Sequence, residues 1–154
     1  MTEELGSEAR EAFSASREDR DRTLGALRNL ESALAMASAT ADWLDEVKAD
    51  LASLETAMSD EKDELNRPDS LLPMIAADRP RRFGPRIRGL QEQYADITRQ
   101  VGSLLRELKQ APDGPVDATD IRHRAGALIR SIHSYRARQT DLVYEALRLD
   151  LGER

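Results

Sequence analysis

Residues 121–149, IRHRAGALIRSIHSYRARQTDLVYEALRL, decide the fold, because inward-facing positions recur along them in alternating steps of four and three. Such spacing keeps one stripe of a helix against a neighbouring helix. Two members of the stripe, Tyr135 and Gln139, are polar and lie near its centre. Because buried polar groups need partners, we expect a polar layer in the middle of a helical bundle. The whole stripe is Ile121, Ala125, Leu128, Ile132, Tyr135, Gln139, Leu142, Ala146 and Leu149.

Three earlier segments carry stripes of similar spacing, and proline or glycine residues separate most of them. The first half of the first stripe is mostly polar, with Ser16, Arg20 and Thr23 following Phe13, so we expect that end to be only partly buried. A linker with a short helical turn is expected before the third helix, where prolines cluster. The predicted helices are residues 8–39, 41–66, 84–110 and 117–149, and the linker is 67–83.

The join between the first two helices is predicted at residues 38–40, where the spacing of the stripe slips and Ser-Ala-Thr offers an N-cap. The alternative is a single helix over 8–66, because no Gly or Pro occurs between Gly25 and Pro68.

Matched helix lengths and short connections favour an all-α, up-down-up-down four-helix bundle. We expect the 154 residues to form one domain, residues 1–154.

Composition excludes several classes of protein. The chain has no cysteine, so disulfides, thiolate metal sites and thiol nucleophiles are excluded. No apolar run approaches the roughly 20 residues that span a bilayer, and the acidic start lacks the basic and apolar regions of a signal peptide. We therefore expect a cytoplasmic protein that does not interact with membranes.

Polar residues interrupt three of the four stripes, at Glu61, Tyr94, Tyr135 and Gln139. Antiparallel packing can bring these inward positions together. We expect the Glu61 carboxylate to accept hydrogen bonds from the two tyrosine hydroxyls, with Gln139 bridging the remaining groups. The alternative is that Glu61 is solvated near a helix end and that the tyrosines point their hydroxyls outward.

The order of segments resembles the hemerythrin-like (HHE) four-helix bundle family over about residues 20–152. Residues 57–62, AMSDEK, lie where that family has a His-Phe-x-x-Glu-Glu motif. Residues 90–94, LQEQY, resemble its Leu-x-x-Glu-His, and residues 135–142, YRARQTDL, fall on its His-x-x-x-Glu-x-x-Leu. Residues 71–90 resemble the family's link into its third helix.

The resemblance also implies what this chain lacks. In that family, His and Glu side chains hold a non-haem di-iron centre, whereas Ala57, Tyr94, Tyr135 and Gln139 stand at the matching positions here. Only Glu61 keeps a ligand-type side chain, and iron needs several imidazole and carboxylate ligands. The resemblance therefore implies a member that has lost its metal site, and we expect no metal and no other cofactor.

An arginine cluster lies in the linker and at the start of the third predicted helix. Such a cluster could bind phosphates or nucleic acid. However, Phe83 alone interleaves it, and the net charge of the chain is −6, so no nucleic acid is expected as partner. We expect the cluster to pair with Asp60, Asp63 and Glu64 across the end of the bundle. Its members are Arg79, Arg81, Arg82, Arg86 and Arg88.

No arrangement in the sequence supports catalysis. His123 and His133 fall off the stripe, and no serine stands beside a His and an Asp at a recognisable spacing. The leading hypothesis is a non-enzymatic binding or regulatory module, with an unknown protein or a second copy of the chain as partner. The alternative is a diverged metal- or small-ligand-binding protein that uses the polar layer.

Overall fold

Five helices form the chain in the part that a computed structural model describes, and no β-strand occurs there. This confirms the all-α class. The described residues are 7, 10–12, 14, 16–36, 41–110 and 117–152, with side chains described up to 149. No helix among them is long and apolar enough to cross a membrane. The helices are α1 Arg17–Ala35, α2 Ala41–Leu65, α3 Leu71–Asp78, α4 Pro80–Gln110 and α5 Ala118–Gly152.

The first two helices are separate. Met36 has an extended backbone, with φ −67° and ψ 136°, which ends α1 and rules out one continuous helix over 8–66. The prediction placed the end of the first helix at residue 39 and the join at 38–40, and residues 37–40 lie outside the described part. At its other end α1 begins at Arg17, after a turn at Ser16, and helical backbone also occurs earlier, at residues 10–12.

The segment between α2 and α4 is more helical than expected. It contains α3, an eight-residue helix rather than a single turn, and α4 begins at Pro80 rather than at residue 84. Proline suits the first position of a helix, because the missing N–H has no partner there in any case. Pro85, which would fall in the first turn of the predicted helix 84–110, lies inside α4 instead, where the helix loses one hydrogen bond.

Asp117 and Ser70 each precede a helix, but only the side chain of Asp117 caps the helix that follows. Asp117 accepts a hydrogen bond from the backbone N–H of Asp120 at 3.0 Å, as an N-cap does. Ser70 stands before α3 but makes no side-chain cap bond. Its hydroxyl lies 3.0 Å from the carbonyl oxygen of Leu65 and 2.6 Å from that of Arg67, and it thereby satisfies the carbonyl end of α2.

The four long helices contact one another in a ring, α1 to α2, α2 to α4, α4 to α5 and α5 to α1, and α3 packs mainly on α4. Trp43 Nε1, near the start of α2, donates to the carbonyl of Ala33 near the end of α1 at 2.8 Å. Arg124, early in α5, contacts Glu107, late in α4, at 2.5 Å. The α1–α2 pair and the α4–α5 pair are therefore each antiparallel.

One hydrophobic core contains residues from all five helices. Burying a leucine side chain contributes about 1.5–3 kcal/mol, so this core is the main source of stability. The polar start of α1 is more buried than expected: Ser16 and Thr23 are buried, and Arg20 is half-buried. The reason is that this end of α1 packs beside the polar residues of α2, α4 and α5.

Candidate functional site

The four polar residues of the stripes are all buried. Glu61 and Tyr135 are 0% exposed, Tyr94 is 1% exposed and Gln139 is 9% exposed. The rings of Tyr94 and Tyr135 contact each other, with centroids 4.8 Å apart and planes inclined at 58°. The alternative expectation, a solvated Glu61 with outward tyrosines, is therefore wrong. We call these four residues together with Arg136 the polar layer.

Arg136 is the partner of Glu61. Its Nη1 donates to Glu61 Oε2 at 2.6 Å, and its Nη2 donates to Oε1 at 2.5 Å. This bidentate pairing is the strong geometry for a guanidinium and a carboxylate. Arg136 Nη1 also lies 3.3 Å from Gln139 Oε1. The expected network was wrong, because Arg136 takes both oxygens that the tyrosine hydroxyls were expected to contact.

The two tyrosine hydroxyls are buried without a hydrogen-bond partner among the described residues. Thr23 lies near the Tyr94 hydroxyl and lowers the pKa of Tyr94 slightly, but its own hydroxyl donates to the carbonyl of Asp19. Burial raises the pKa of Tyr94 and of Tyr135 well above the ordinary range, and the charges of Arg136, which lowers both, and of Glu61, which raises both, act against each other. Both side chains are therefore neutral phenols at any ordinary pH.

Tyr135→Phe is expected to leave stability unchanged or to raise it by about 1–2 kcal/mol, because it removes a buried hydroxyl that has no partner. A hydrogen-bonded hydroxyl would instead give a loss of about 0.5–1.5 kcal/mol. Urea unfolding at pH 7 measures the difference. Tyr144→Phe, at a side chain that is 67% exposed, is the matched control. A clear loss of stability in Tyr135→Phe alone would contradict the geometry.

The side chains present do not fit the iron centre of the hemerythrin-like family. Both oxygens of Glu61 already accept hydrogen bonds from a guanidinium, and that positive charge repels a metal cation. Within the described part of the chain, no group of three His, Cys, Asp or Glu side chains could hold a metal ion. His123 and His133 are exposed, and His133 pairs with Glu31 at 3.0 Å.

A cavity of about 520 Å³ lies beside the polar layer and shares Arg136 and Gln139 with it. Its volume is in the usual range for small-molecule sites, roughly 300–1,000 Å³. Glu61, Tyr94 and Tyr135 do not line it. The sequence did not predict this cavity, because its lining residues come from different helices. The other lining residues are Arg10, Ser14, Ser16, Arg20, Leu65, Ser70, Leu71, Thr140, Val143, Tyr144 and Leu147.

The cavity wall holds positive charges in a poorly solvated setting. Arg20 Nη1 donates to Ser16 Oγ at 2.8 Å. Burial lowers the pKa of Arg20, and the neighbouring charge of Arg136 lowers it further, while the carboxylates of Glu61, Asp21 and Glu64 act in the opposite direction.

A second buried carboxylate, Glu64, lies one turn after Glu61 and is 6% exposed. Burial raises its pKa to about 7, and the neighbouring Asp19 and Glu61 raise it as well, whereas Arg67 lowers it. Oε2 of Glu64 has no donor when both acidic groups are ionised. Protonation also turns Glu64 into a donor toward Asp19, which adds to the effect of burial in favouring the neutral form.

The arginine cluster pairs with a different helix from the one expected. Arg82 Nη2 and Arg86 Nη1 donate to the two oxygens of Glu145 at 2.9 and 2.7 Å, and both guanidiniums lie over the ring of Phe83. The start of α4 lies beside the end of α5, where Glu145 is located, so the acidic end of α2 is not its partner. Among the remaining members, Arg81 and Arg88 are exposed.

Two of the three acidic residues at the end of α2 pair with arginines outside the cluster. Arg22 contacts Asp60 at 3.1 Å, and Arg67 contacts Glu64 at 3.8 Å. Asp63 is exposed. The expected pairing of the cluster with these three acids is therefore wrong, and the largely exposed ion pairs that Arg82 and Arg86 make with Glu145 contribute little to stability.

Comparison with family models, with curated proteins and with solved structures finds no significant match to this chain.

Proposed function

We propose that this protein is a non-enzymatic binding module built on a hemerythrin-like, up-down-up-down bundle of four long helices, in which a buried ion pair stands in place of the di-iron centre. Support for the bundle comes from the ring of contacts among α1, α2, α4 and α5 and from their antiparallel pairing. The observation that carries the functional part is the bidentate contact between Arg136 and Glu61.

The polar layer is unsuited to general acid–base catalysis. A general acid or base needs a pKa near the working pH and access to a substrate proton. Burial holds the pKa of both tyrosines far above neutrality, and the Glu61 oxygens are both engaged by Arg136. The layer therefore acts as a fixed support for its surroundings, and binding takes place at the adjoining cavity, whose wall includes Arg136 and Gln139.

Metal analysis tests the iron-free part of this proposal. The full chain is expressed with added iron, purified anaerobically without chelators and measured by plasma mass spectrometry. We expect less than about a tenth of an equivalent of any transition metal, because the one candidate carboxylate in the layer is neutralised by a guanidinium. One or two equivalents of iron that Glu61→Gln removes would overturn the proposal.

A further inference from the structure

The first turns of α1, residues 17–24, bury little apolar surface. Thr23 is the one buried side chain among them, and Leu24 is 38% exposed. The buried apolar side chains of α1 begin at Ala26. Because segments with few buried apolar contacts open more readily than the core, polar contacts decide whether these turns stay against the bundle.

Polar contacts join these turns to the end of α2. Arg22 Nη1 donates to Asp60 Oδ2 at 3.1 Å, but both side chains are 49% exposed, and such an ion pair contributes little. The carboxyl groups of Asp19 and Glu64 also contact each other, and Glu64 is buried. This contact is favourable only when one carboxyl carries a proton, because ionised carboxylates accept hydrogen bonds and donate none.

Burial is the main reason why Glu64 keeps a proton. It raises the pKa of Glu64 to about 7, and Asp19 of α1 and Glu61 of α2 raise it as well. Arg67, just after α2, lowers the pKa. Its Nη2 lies 3.8 Å from Glu64 Oε1 and its side chain is 60% exposed, so solvent screens this attraction.

The cations on the neighbouring helices do not replace this proton. Arg20 of α1 interacts with Glu61 as well as with Glu64. Arg136 of α5 donates to both oxygens of Glu61, and Tyr94 of α4 faces Glu61 as a neutral phenol. Among the residues that the structure describes, Oε2 of Glu64 therefore has no donor unless a proton binds.

We propose that a proton shared between Glu64 and Asp19 fastens the first turns of α1 to α2, and that loss of this proton as pH rises past neutrality releases residues 17–24 while the rest of the bundle stays folded. This inference goes beyond the proposed function and does not depend on it. Ser16 and Arg20 line the cavity, so the release also changes the wall of the cavity.

The direction of the effect follows from proton linkage. In the open state Glu64 is solvated and has its ordinary pKa of 4.5, whereas in the closed state the pKa is about 7. The closed state therefore binds the proton more tightly. Its advantage is fully present below about pH 4.5 and is lost progressively as pH rises to about 7.

Native-state hydrogen exchange of the full chain tests this device. Amide exchange is followed by NMR at pH 5 and pH 8 and corrected for the intrinsic exchange rates. We expect the protection of amides 20–24 to fall about tenfold between these values. Low concentrations of urea should accelerate exchange there only weakly, because local opening exposes little surface, and should accelerate it strongly at the buried Val101 of α4.

Variants on both helices identify the shared proton. Glu64→Gln keeps a donor toward Asp19 at every pH, so the protection of amides 20–24 should stay within about twofold between pH 5 and pH 8. Its matched control is Asp63→Asn, at an exposed neighbour, which should keep the tenfold fall. Asp19→Asn supplies an amide donor from the other side of the contact and should also abolish the fall, with the exposed Asp21→Asn as its control.

A different titrating contact of α1 needs its own control. His133 Nε2 lies 3.0 Å from Glu31 Oε1, in the later half of α1, and this pair is charged only when His133 is protonated. His133→Gln should therefore leave the fall at amides 20–24 unchanged.

Several outcomes overturn the inference. One is equal protection of amides 20–24 at pH 5 and pH 8 in the parent chain. Another is a tenfold fall that persists in Glu64→Gln or in Asp19→Asn, and a third is a urea dependence at these amides as steep as at Val101, since they would then exchange only when the whole bundle unfolds. None of these results bears on metal content, so failure here is distinct from failure of the proposed function.

Discussion

Arg136→Met is expected to lower the free energy of unfolding by about 3–5 kcal/mol, because it leaves the Glu61 carboxylate buried without its cation. Methionine keeps most of the length of the side chain and has a similar helix propensity, so the loss reports mainly on the charge. Urea unfolding at pH 7 measures the loss.

The double variant Glu61→Leu with Arg136→Met removes both charges and should recover the stability that the single variant loses. Replacing a whole buried ion pair with apolar residues is often neutral or stabilises by about 1–4 kcal/mol. Arg130→Met, at an exposed arginine of the same helix, should stay within about 0.5 kcal/mol of the parent. If the single variant matched this control, the Arg136–Glu61 contact would not have the role that its geometry assigns.

Helical periodicity carried most of the information that the sequence held about the fold. The stripe of α5 is buried from Ile121 to Ala146, and Tyr135 and Gln139 lie within the core as its spacing predicts. The starts of helices were harder to place. Pro80 and Pro85 are both compatible with a first turn, and only the packing of the segment decides that α4 begins at Pro80.

The partner of Glu61 was missed for a physical reason. The spacing of residues along a helix indicates only the direction in which each Cα–Cβ bond points. By that criterion, Arg136 lies beside the stripe, next to Tyr135. A long arginine side chain can bury its stem and carry its guanidinium inward from such a position. A buried charge at Glu61 requires a cation, so the arginines that flank the stripe near Tyr135 were the candidates for its partner.

The cavity could not have been found from periodicity. Its wall combines Arg20 of α1, Leu65 of α2, Leu71 of α3 and Val143 of α5, and no single stripe contains them. Its volume depends on how α1 and α3 pack against the ends of their neighbours. Sequence analysis gave only the polar character of the first stripe, and it interpreted that character as partial exposure.

Glu64→Gln is expected to raise stability at pH 8 by about 1–3 kcal/mol and to leave it unchanged at pH 4. The ordinary pKa of this carboxyl is 4.5, and in the folded protein burial and Asp19 raise it to about 7. Between these values the unfolded chain has lost the proton and the folded chain keeps it, so stability falls as pH rises. A tenfold change in proton affinity corresponds to about 1.4 kcal/mol, and Arg67 and solvent at the helix end reduce the net effect.

Urea unfolding of the parent and the variant from pH 4 to pH 8 measures this difference. The amide of glutamine can donate to Asp19 at every pH, so the variant should lack the decline in stability between about pH 4.5 and 7 that Glu64 causes in the parent. Asp63→Asn is the matched control, because Asp63 is the exposed neighbour on the same helix. Parallel pH profiles for the parent and Glu64→Gln would show that Glu64 does not hold a proton in the folded protein, since an ordinary carboxyl would ionise equally in the folded and unfolded chain.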